Sequence, residues 1–221
     1  METIIVFKVS IVYLPRLMKE KIITQATELF LNYGFKSVTM DDIAQQLGMS
    51  KKTIYQYFKN KTDLVEATTL HLFHFISTGI NEICAIENNP IAEIFEIKKF
   101  VMTHLKNEKS SPQYQLQKYY PKIYLTLKKN QMGIMRECVT DNLNRGVALG
   151  LYRDTINIDF ISRLYFSSMQ LLKDIEIFPP NQFSMNELMG NYIEYHLRGI
   201  CTDKGRSSLK QYLNKINTNE N

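Results

Sequence analysis

The sequence predicts an all-α protein, and three observations carry that expectation. Only 9 Gly and 6 Pro punctuate 221 residues, too few turn formers for a strand-and-turn architecture. Long stretches contain no breaker, and apolar residues recur in them at steps of three and four, the period of an amphipathic helix. Capping residues stand in front of several of these stretches. With 44% apolar and 22% charged residues, the composition is that of an ordinary globular chain. That excludes disorder over most of the length, which fits one large domain or two small ones.

The first stretch, Ile4 to Leu14, is apolar apart from Lys8 and Ser10. It is shorter than the roughly 20 apolar residues that span a bilayer, and it lacks the basic start and small-residue cleavage site of a signal peptide. Pro15 ends it. Residues 1–15 are therefore expected to be an N-terminal extension outside the folded core; the alternative is a short arm packed on a neighbouring helix. Leu17, Ile22, Ile23, Ala26, Leu29, Phe30 and Tyr33 then mark a helix that Gly34 closes. Thr39 reads as an N-cap with Asp42 three residues on. It opens a short helix to Leu47, which Gly48 interrupts. Ser50 caps a helix over Lys51 to Phe58, and Asn60 to Asp63 open a longer one.

Asn88-Asn89-Pro90 separates that helix from the next, at about 91–107. A loop at 109–112 follows. A long helix runs from Tyr120-Pro121 to about Leu149, ended by Gly150, and another covers 159–173, entered through Asn157. Pro179-Pro180 breaks the chain. Ser184 caps a helix to about Arg198 that Gly199 stops, and Lys204 to Leu213 makes a small final helix before an Asn-rich tail. The expected organisation is a first helical domain at 16–66, a second helical domain at 67–203, and a short terminal helix and tail at 204–221.

Residues 39–58 hold the candidate function. Ala44, four residues before Gly48, lets two short helices approach, and Gly48 makes the sharp turn. Ile43, Leu47, Met49, Ile54 and Phe58 supply an apolar seam behind both. This is the pattern of a helix-turn-helix, whose second helix enters the DNA major groove. Charge agrees. The whole chain carries +5, and residues 16–61 carry eight basic against four acidic side chains. Lys51, Lys52, Lys59 and Lys61 are interleaved with Thr53, Tyr55, Gln56 and Tyr57, which can donate to phosphates, meet base edges or pack on a thymine methyl.

Residues 19–66 resemble the DNA-binding domain of TetR-family transcriptional regulators. Ala26, Phe30, Gly34, Thr39, Ile43, Ala44, Gly48, Ser50, Thr53, Tyr55, Phe58, Lys61 and Leu64 carry the likeness. The resemblance implies a three-helix DNA-binding domain followed by a helical ligand-binding and dimerisation domain. It also implies roles. Thr39 would touch phosphate, and Lys51, Lys52, Thr53, Tyr55, Gln56 and Tyr57 would lie on the recognition helix. There Thr53 and Tyr55 would hold the backbone, while Lys51, Lys52 and Gln56 would read bases. Lys61 would reach phosphate from the next helix. Asp41 and Asp42 depart from relatives that carry a basic residue there, so no base contact is expected from them, and Asp42 is read as a cap.

The same resemblance implies a homodimer on a pseudo-palindromic operator in double-stranded DNA. Phe160, Ile161, Leu164, Tyr165, Met169 and Leu172 form one apolar face, and Met185, Leu188, Met189, Tyr192, Ile193 and Leu197 another. Two such helices per subunit would make a four-helix interface; the bland reading is that both stripes face their own core. An apolar effector pocket is expected in the second domain, with no lining residue assignable. The functional expectation is a repressor released by a small, largely apolar ligand. The alternative is a DNA-binding adaptor whose second domain binds only protein.

Cys84, Cys138 and Cys201 are far apart and odd in number, with neither metal-type spacing nor a disulfide framework, which fits a reducing cytoplasm. His71 and His74 have no cysteine or acid at matching spacing, so no metal is expected. No cofactor and no catalytic residues are expected either, since there is no glycine-rich phosphate loop and no nucleophile elbow.

Overall fold

The computed structural model describes residues 2–105 and 112–219, with the side chains of 1–14, 217 and 219 outside that description. Among the described residues there are ten helices: α1 Glu2–Tyr33, α2 Met40–Leu47, α3 Lys51–Tyr55, α4 Lys61–Ile86, α5 Pro90–His104, α6 Pro112–Tyr119, α7 Pro121–Ala148, α8 Ile158–Leu171, α9 Met185–Ile200 and α10 Asp203–Asn219. The fold is all-α, and an isolated bridge joins Tyr152 to Cys201. The chain divides into two compact units. One holds the described residues up to His74 together with 112–127; the other holds 75–105 and 128–219.

In the first unit, α1 buries Ile22, Ala26 and Phe30, one residue per turn along one stripe. Gly34, at φ 82°, ends the helix and donates its N–H to the Phe30 carbonyl at 2.8 Å. Phe30 packs on Phe35 at 5.0 Å between ring centroids, and Phe35 meets Tyr120 edge-on at 6.1 Å. Three boundaries differ from the sequence reading. Pro15 lies inside α1 rather than before it. A proline withholds one helical donor, yet the helix continues through it. The expectation that residues 1–15 stay out of the core concerns, for 1–14, side chains outside the described residues; Pro15 is exposed. α3 is shorter than expected, because the N–H groups of Tyr57 and Phe58 both turn back onto the Ile54 carbonyl, at 3.0 and 3.1 Å. Finally, α6 was not anticipated. Its eight residues place Leu116 in the core of this unit, and its Gln115 side chain accepts the Lys36 N–H at 3.0 Å.

The second unit is built around Ile91 and Phe95 of α5, Leu143 of α7, Tyr152, Tyr165 and Met169 of α8, and Ile193 and Leu197 of α9. Gly150 turns the chain after α7 at φ 67°, and the N–H groups of Leu151 and Tyr152 return to the Gly146 carbonyl at 2.9 and 3.0 Å. Tyr152 is thereby laid against α7. Its ring sits 1.9 Å from where a Cβ on Gly146 would be, and its hydroxyl donates to Asn142 Oδ1 at 3.1 Å. α9 continues through Gly199 to Ile200 instead of stopping at Arg198. Ser184 holds its N-cap position without a side-chain hydrogen bond. α10 extends beyond the expected 204–213.

Two glycines of α7 offer a matched test of this packing. A Cβ at Gly133 meets nothing within 4 Å. Gly133→Ala should stabilise the protein by up to about 1 kcal/mol through helix propensity. Gly146→Ala must displace the Tyr152 ring and should cost about 2 kcal/mol or more despite the same gain. Urea unfolding of the two variants checks this, and equal effects would contradict the packing described.

Candidate nucleic-acid interface

α2 has eight residues and α3 five, lengths at which isolated helices are unstable in water. Local caps and a shared core hold them. Thr39 is the N-cap of α2: the Asp42 N–H donates to Thr39 Oγ1 at 3.2 Å, and the Thr39 N–H donates to Asp42 Oδ2 at 2.7 Å. This reciprocal pair is a capping box. Its hydrogen bonds hold the Asp42 carboxyl below its ordinary pKa. Gly48, at φ 63°, donates to the Gln45 carbonyl at 3.1 Å, and the Met49 N–H donates to Ala44 at 3.0 Å, which closes α2. Ser50 caps α3 by accepting the Thr53 N–H at 3.1 Å.

The apolar seam expected behind the two helices is present. Ile43, Ala44, Ile54 and Phe58 are buried in one cluster with Ile22, Ala26 and Phe30 of α1 and Leu64 and Val65 of α4. Lys19 of α1 lays its ammonium 5.5 Å from the Phe58 ring centroid. Since Ile54 and Phe58 point inward four residues apart, the opposite face of α3 and the turn after it is left to solvent. Lys51, Lys52, Tyr55 and Gln56 are all exposed there, as is Thr39 at the start of α2.

The remaining expected contacts are more constrained. Thr53 is half-buried, and its hydroxyl lies 2.8 Å from that of Ser50. Tyr57 is half-buried and packs against the core cluster, so much of its ring serves packing. Lys61 is half-buried at the start of α4. Burial pushes its pKa down, partly offset by the Asp42 charge. Lys51, assigned to a base edge, donates instead to Asp41 Oδ2 at 2.6 Å. That hydrogen bond raises its pKa, and the Asp41 carboxylate offsets part of its positive field. The exposed cations and polar groups therefore centre on Lys52, Tyr55 and Gln56.

The expected dimer residues separate into two sets. Tyr165, Met169 and Leu172 of the first stripe, and Ile193 and Leu197 of the second, are buried in the core of their own unit. A side chain already enclosed in this way has little surface left for a partner. Phe160 and Leu164 are exposed at 60% and 46%. Ile161, Met185, Leu188, Met189 and Tyr192 are half-buried. Tyr195, on the same helix but off the stripe that the sequence emphasises, is 77% exposed.

One cluster escaped sequence reading altogether. Cys84 of α4 and Cys138 of α7, 54 residues apart, bring their sulfurs within 3.1 Å. Both come close to Glu93 of α5, with one ligand-type atom from each of the three within 4.8 Å of the others. No regular spacing announces a meeting of three separate helices. Glu93 is fully buried, and both of its oxygens are engaged: Oε1 accepts from Asn142 at 2.7 Å, and Oε2 pairs with Arg145. His71 and His74 are exposed on α4 and take no part in this cluster.

Comparison with known proteins agrees with the helix-turn-helix geometry. Residues 22–68 match the family of bacterial regulatory proteins, tetR family. YvaF, an uncharacterized HTH-type transcriptional regulator of Bacillus subtilis, is 26% identical over 204 residues, 85% of this chain and 97% of that protein. IcaR of Staphylococcus aureus, the HTH-type negative transcriptional regulator of the biofilm operon icaADBC, is 33% identical over 63 residues, 28% of this chain and 34% of its own. A TetR/AcrR-family regulator from Thermobifida fusca has a similar fold, with a TM-score of 0.63 at 21% identity over 82% of this chain and 97% of that one. The capped α2–α3 pair, its buried seam and these likenesses together identify residues 22–68 as a DNA-binding domain of the tetR family of bacterial regulatory proteins.

Proposed function

We propose that the protein is a dimeric cytoplasmic repressor that reads a pseudo-palindromic operator in double-stranded DNA and leaves it when a small, largely apolar effector binds the second unit. The DNA reading rests on one observation above all. Lys52, Tyr55 and Gln56 stand exposed on one side of α3 and its following turn while Ile54 and Phe58 anchor the other. A helix so anchored presents its outer residues to a groove as a rigid set. Thr39 and Lys61 flank it as phosphate donors.

A single helix-turn-helix reads only a few base pairs, so two copies are needed for a useful site. Support for pairing comes from Phe160 and Leu164, four residues apart and exposed on α8, and from exposed Tyr195 on α9. An aromatic cluster supports the effector reading. Phe75 of α4 lies 6.0 Å from Phe100 of α5 and 4.9 Å from His104, and Phe75 remains 47% exposed. An apolar molecule entering between these rings would displace the distal half of α4, whose first residue is Lys61.

The charge pattern makes the DNA reading testable by salt titration. Asp41→Asn releases Lys51 and removes a negative charge. It should raise affinity for duplexes of any sequence and steepen the salt dependence by about one phosphate equivalent. Lys52→Ala should lower affinity and, where Lys52 meets a base edge, relax preference at one position by about 1–3 kcal/mol. Unchanged binding in both folded variants would refute the assigned interface.

The effector reading makes a second, independent prediction. Any apolar effector found by screening should weaken operator binding, and saturating operator DNA should weaken effector binding by the same factor. A preference of about 3 kcal/mol for the DNA-incompetent state corresponds to roughly a hundredfold. Calorimetric titration with and without operator measures it. Equal affinities in the two titrations would remove the effector from the mechanism and favour an adaptor whose second domain binds protein.

A further inference from the structure

The DNA-reading face accounts for neither of the half-buried thiols in the second unit. Cys84 lies in the last turn of α4, Cys138 in α7, and their sulfurs stand 3.1 Å apart. Both are free thiols, and each keeps part of its surface exposed. From the contact of these two sulfurs on separate helices, we infer that Cys84 and Cys138 form a reversible dithiol–disulfide pair that a hydroperoxide oxidises. The inference goes beyond the DNA reading and does not depend on it.

The roles of the two sulfurs differ. Hydrogen bonding from the Cys138 thiol favours a thiolate on Cys84 and lowers its pKa, against the opposing effects of burial and of the Glu93 and Asp141 charges; the Arg145 guanidinium adds to the lowering. Cys138 moves the other way, pushed up by the same bond and by burial. Cys84 is thus the attacking sulfur, since the thiolate is the nucleophile. Its lone pair forms an S–O bond with the hydroperoxide, the O–O bond breaks, and the leaving oxygen departs as an alcohol or water after taking a proton. The resulting sulfenic acid faces Cys138. The Cys138 sulfur attacks it, an S–S bond forms, the S–O bond breaks, and the hydroxyl leaves with the Cys138 proton as water. Two thiols are oxidised by two electrons, and one peroxide is reduced.

Glu93 does not turn the same cluster into an ion site. Its oxygens are committed to Asn142 and Arg145, and Asn142 is itself held by the Pro90 carbonyl at 2.9 Å and by the Tyr152 hydroxyl. Recruiting Glu93 to a cation would strip a buried network of its acceptors and leave Arg145 facing that cation. Cys201 provides an internal reference. It is buried, and burial pushes its pKa up to about 11, so it should resist oxidation.

The test uses the full chain treated with hydrogen peroxide in slight excess. Intact mass should fall by two hydrogens, and a peptide map should join Cys84 to Cys138 while Cys201 stays a thiol. Dithiothreitol should reverse the change. Cys84 should be consumed at least about tenfold faster than Cys201. In Cys138→Ser, a serine of similar size, Cys84 should instead be trapped as a sulfenic acid by dimedone. Closing the 84–138 loop should also raise the thermal unfolding midpoint. The inference is overturned if Cys201 reacts as fast as Cys84, if the cysteines pass to sulfinic acid without pairing, if the bond lowers the unfolding midpoint, or if Zn²⁺ alone binds stoichiometrically and blocks both thiols.

Discussion

The surface proposed to face DNA depends on the burial of Ile54. This side chain is completely enclosed, and it is the inward anchor of a helix only five residues long. Such a helix has too few hydrogen bonds of its own to offset the backbone entropy lost in forming it. Its shape is imposed from behind by the cluster of Ile22, Ala26, Phe30, Ile43, Ala44 and Phe58, and from its ends by Ser50 and the turn onto the Ile54 carbonyl. Where Ile54 points inward, the outward directions of Lys52, Tyr55 and Gln56 follow from helix geometry. Recognition and packing are therefore opposite faces of one constraint, and a loss of fit in the seam would scatter the exposed groups without changing any of them.

Much of this unit was legible in the sequence because its signals are local. Thr39, Asp42, Gly48, Ser50 and Asn60 each announce a cap or turn within four residues of the group they bond. Helix interiors such as α5, α7 and α8 were legible from their period and from the Asn-Pro, Gly and Asn signals at their ends. Other features depended on partners far along the chain. α6 is too short and polar for periodicity to reveal, and Leu116 has meaning only once the core of the first unit exists. The Lys51–Asp41 pair needs the turn at Gly48 to bring ten residues back on themselves. A stripe such as Tyr165–Met169–Leu172 states that a face is apolar but not what covers it, and here the covering is the protein's own α9 and its neighbours.

The second unit combines a well-fixed base with less enclosed surfaces. Around Tyr152, fixation is steric and polar together: its ring fills the place of a Gly146 side chain, and its hydroxyl begins a buried chain through Asn142 to Glu93 and Arg145. Such a chain is costly to break, because each member would leave the next without a partner. Phe75, Phe160, Leu164 and Tyr195 are large apolar side chains left substantially open. Exposed apolar groups of this kind are suited to meeting another molecule. In this unit the fixed and open surfaces are separate features, whereas in the first unit they are two faces of one helix.

The most direct test of the central claim is to map where duplex DNA touches the intact protein by hydrogen–deuterium exchange with and without operator fragments recovered from the genome. The account predicts added protection across residues 39–61, strongest in α3 and the turn that follows it, with α5 and α10 unaffected by direct contact. Protection confined to α5 or α10, with residues 39–61 exchanging as in the free protein, would contradict the assignment of α2 and α3 as the DNA-reading face.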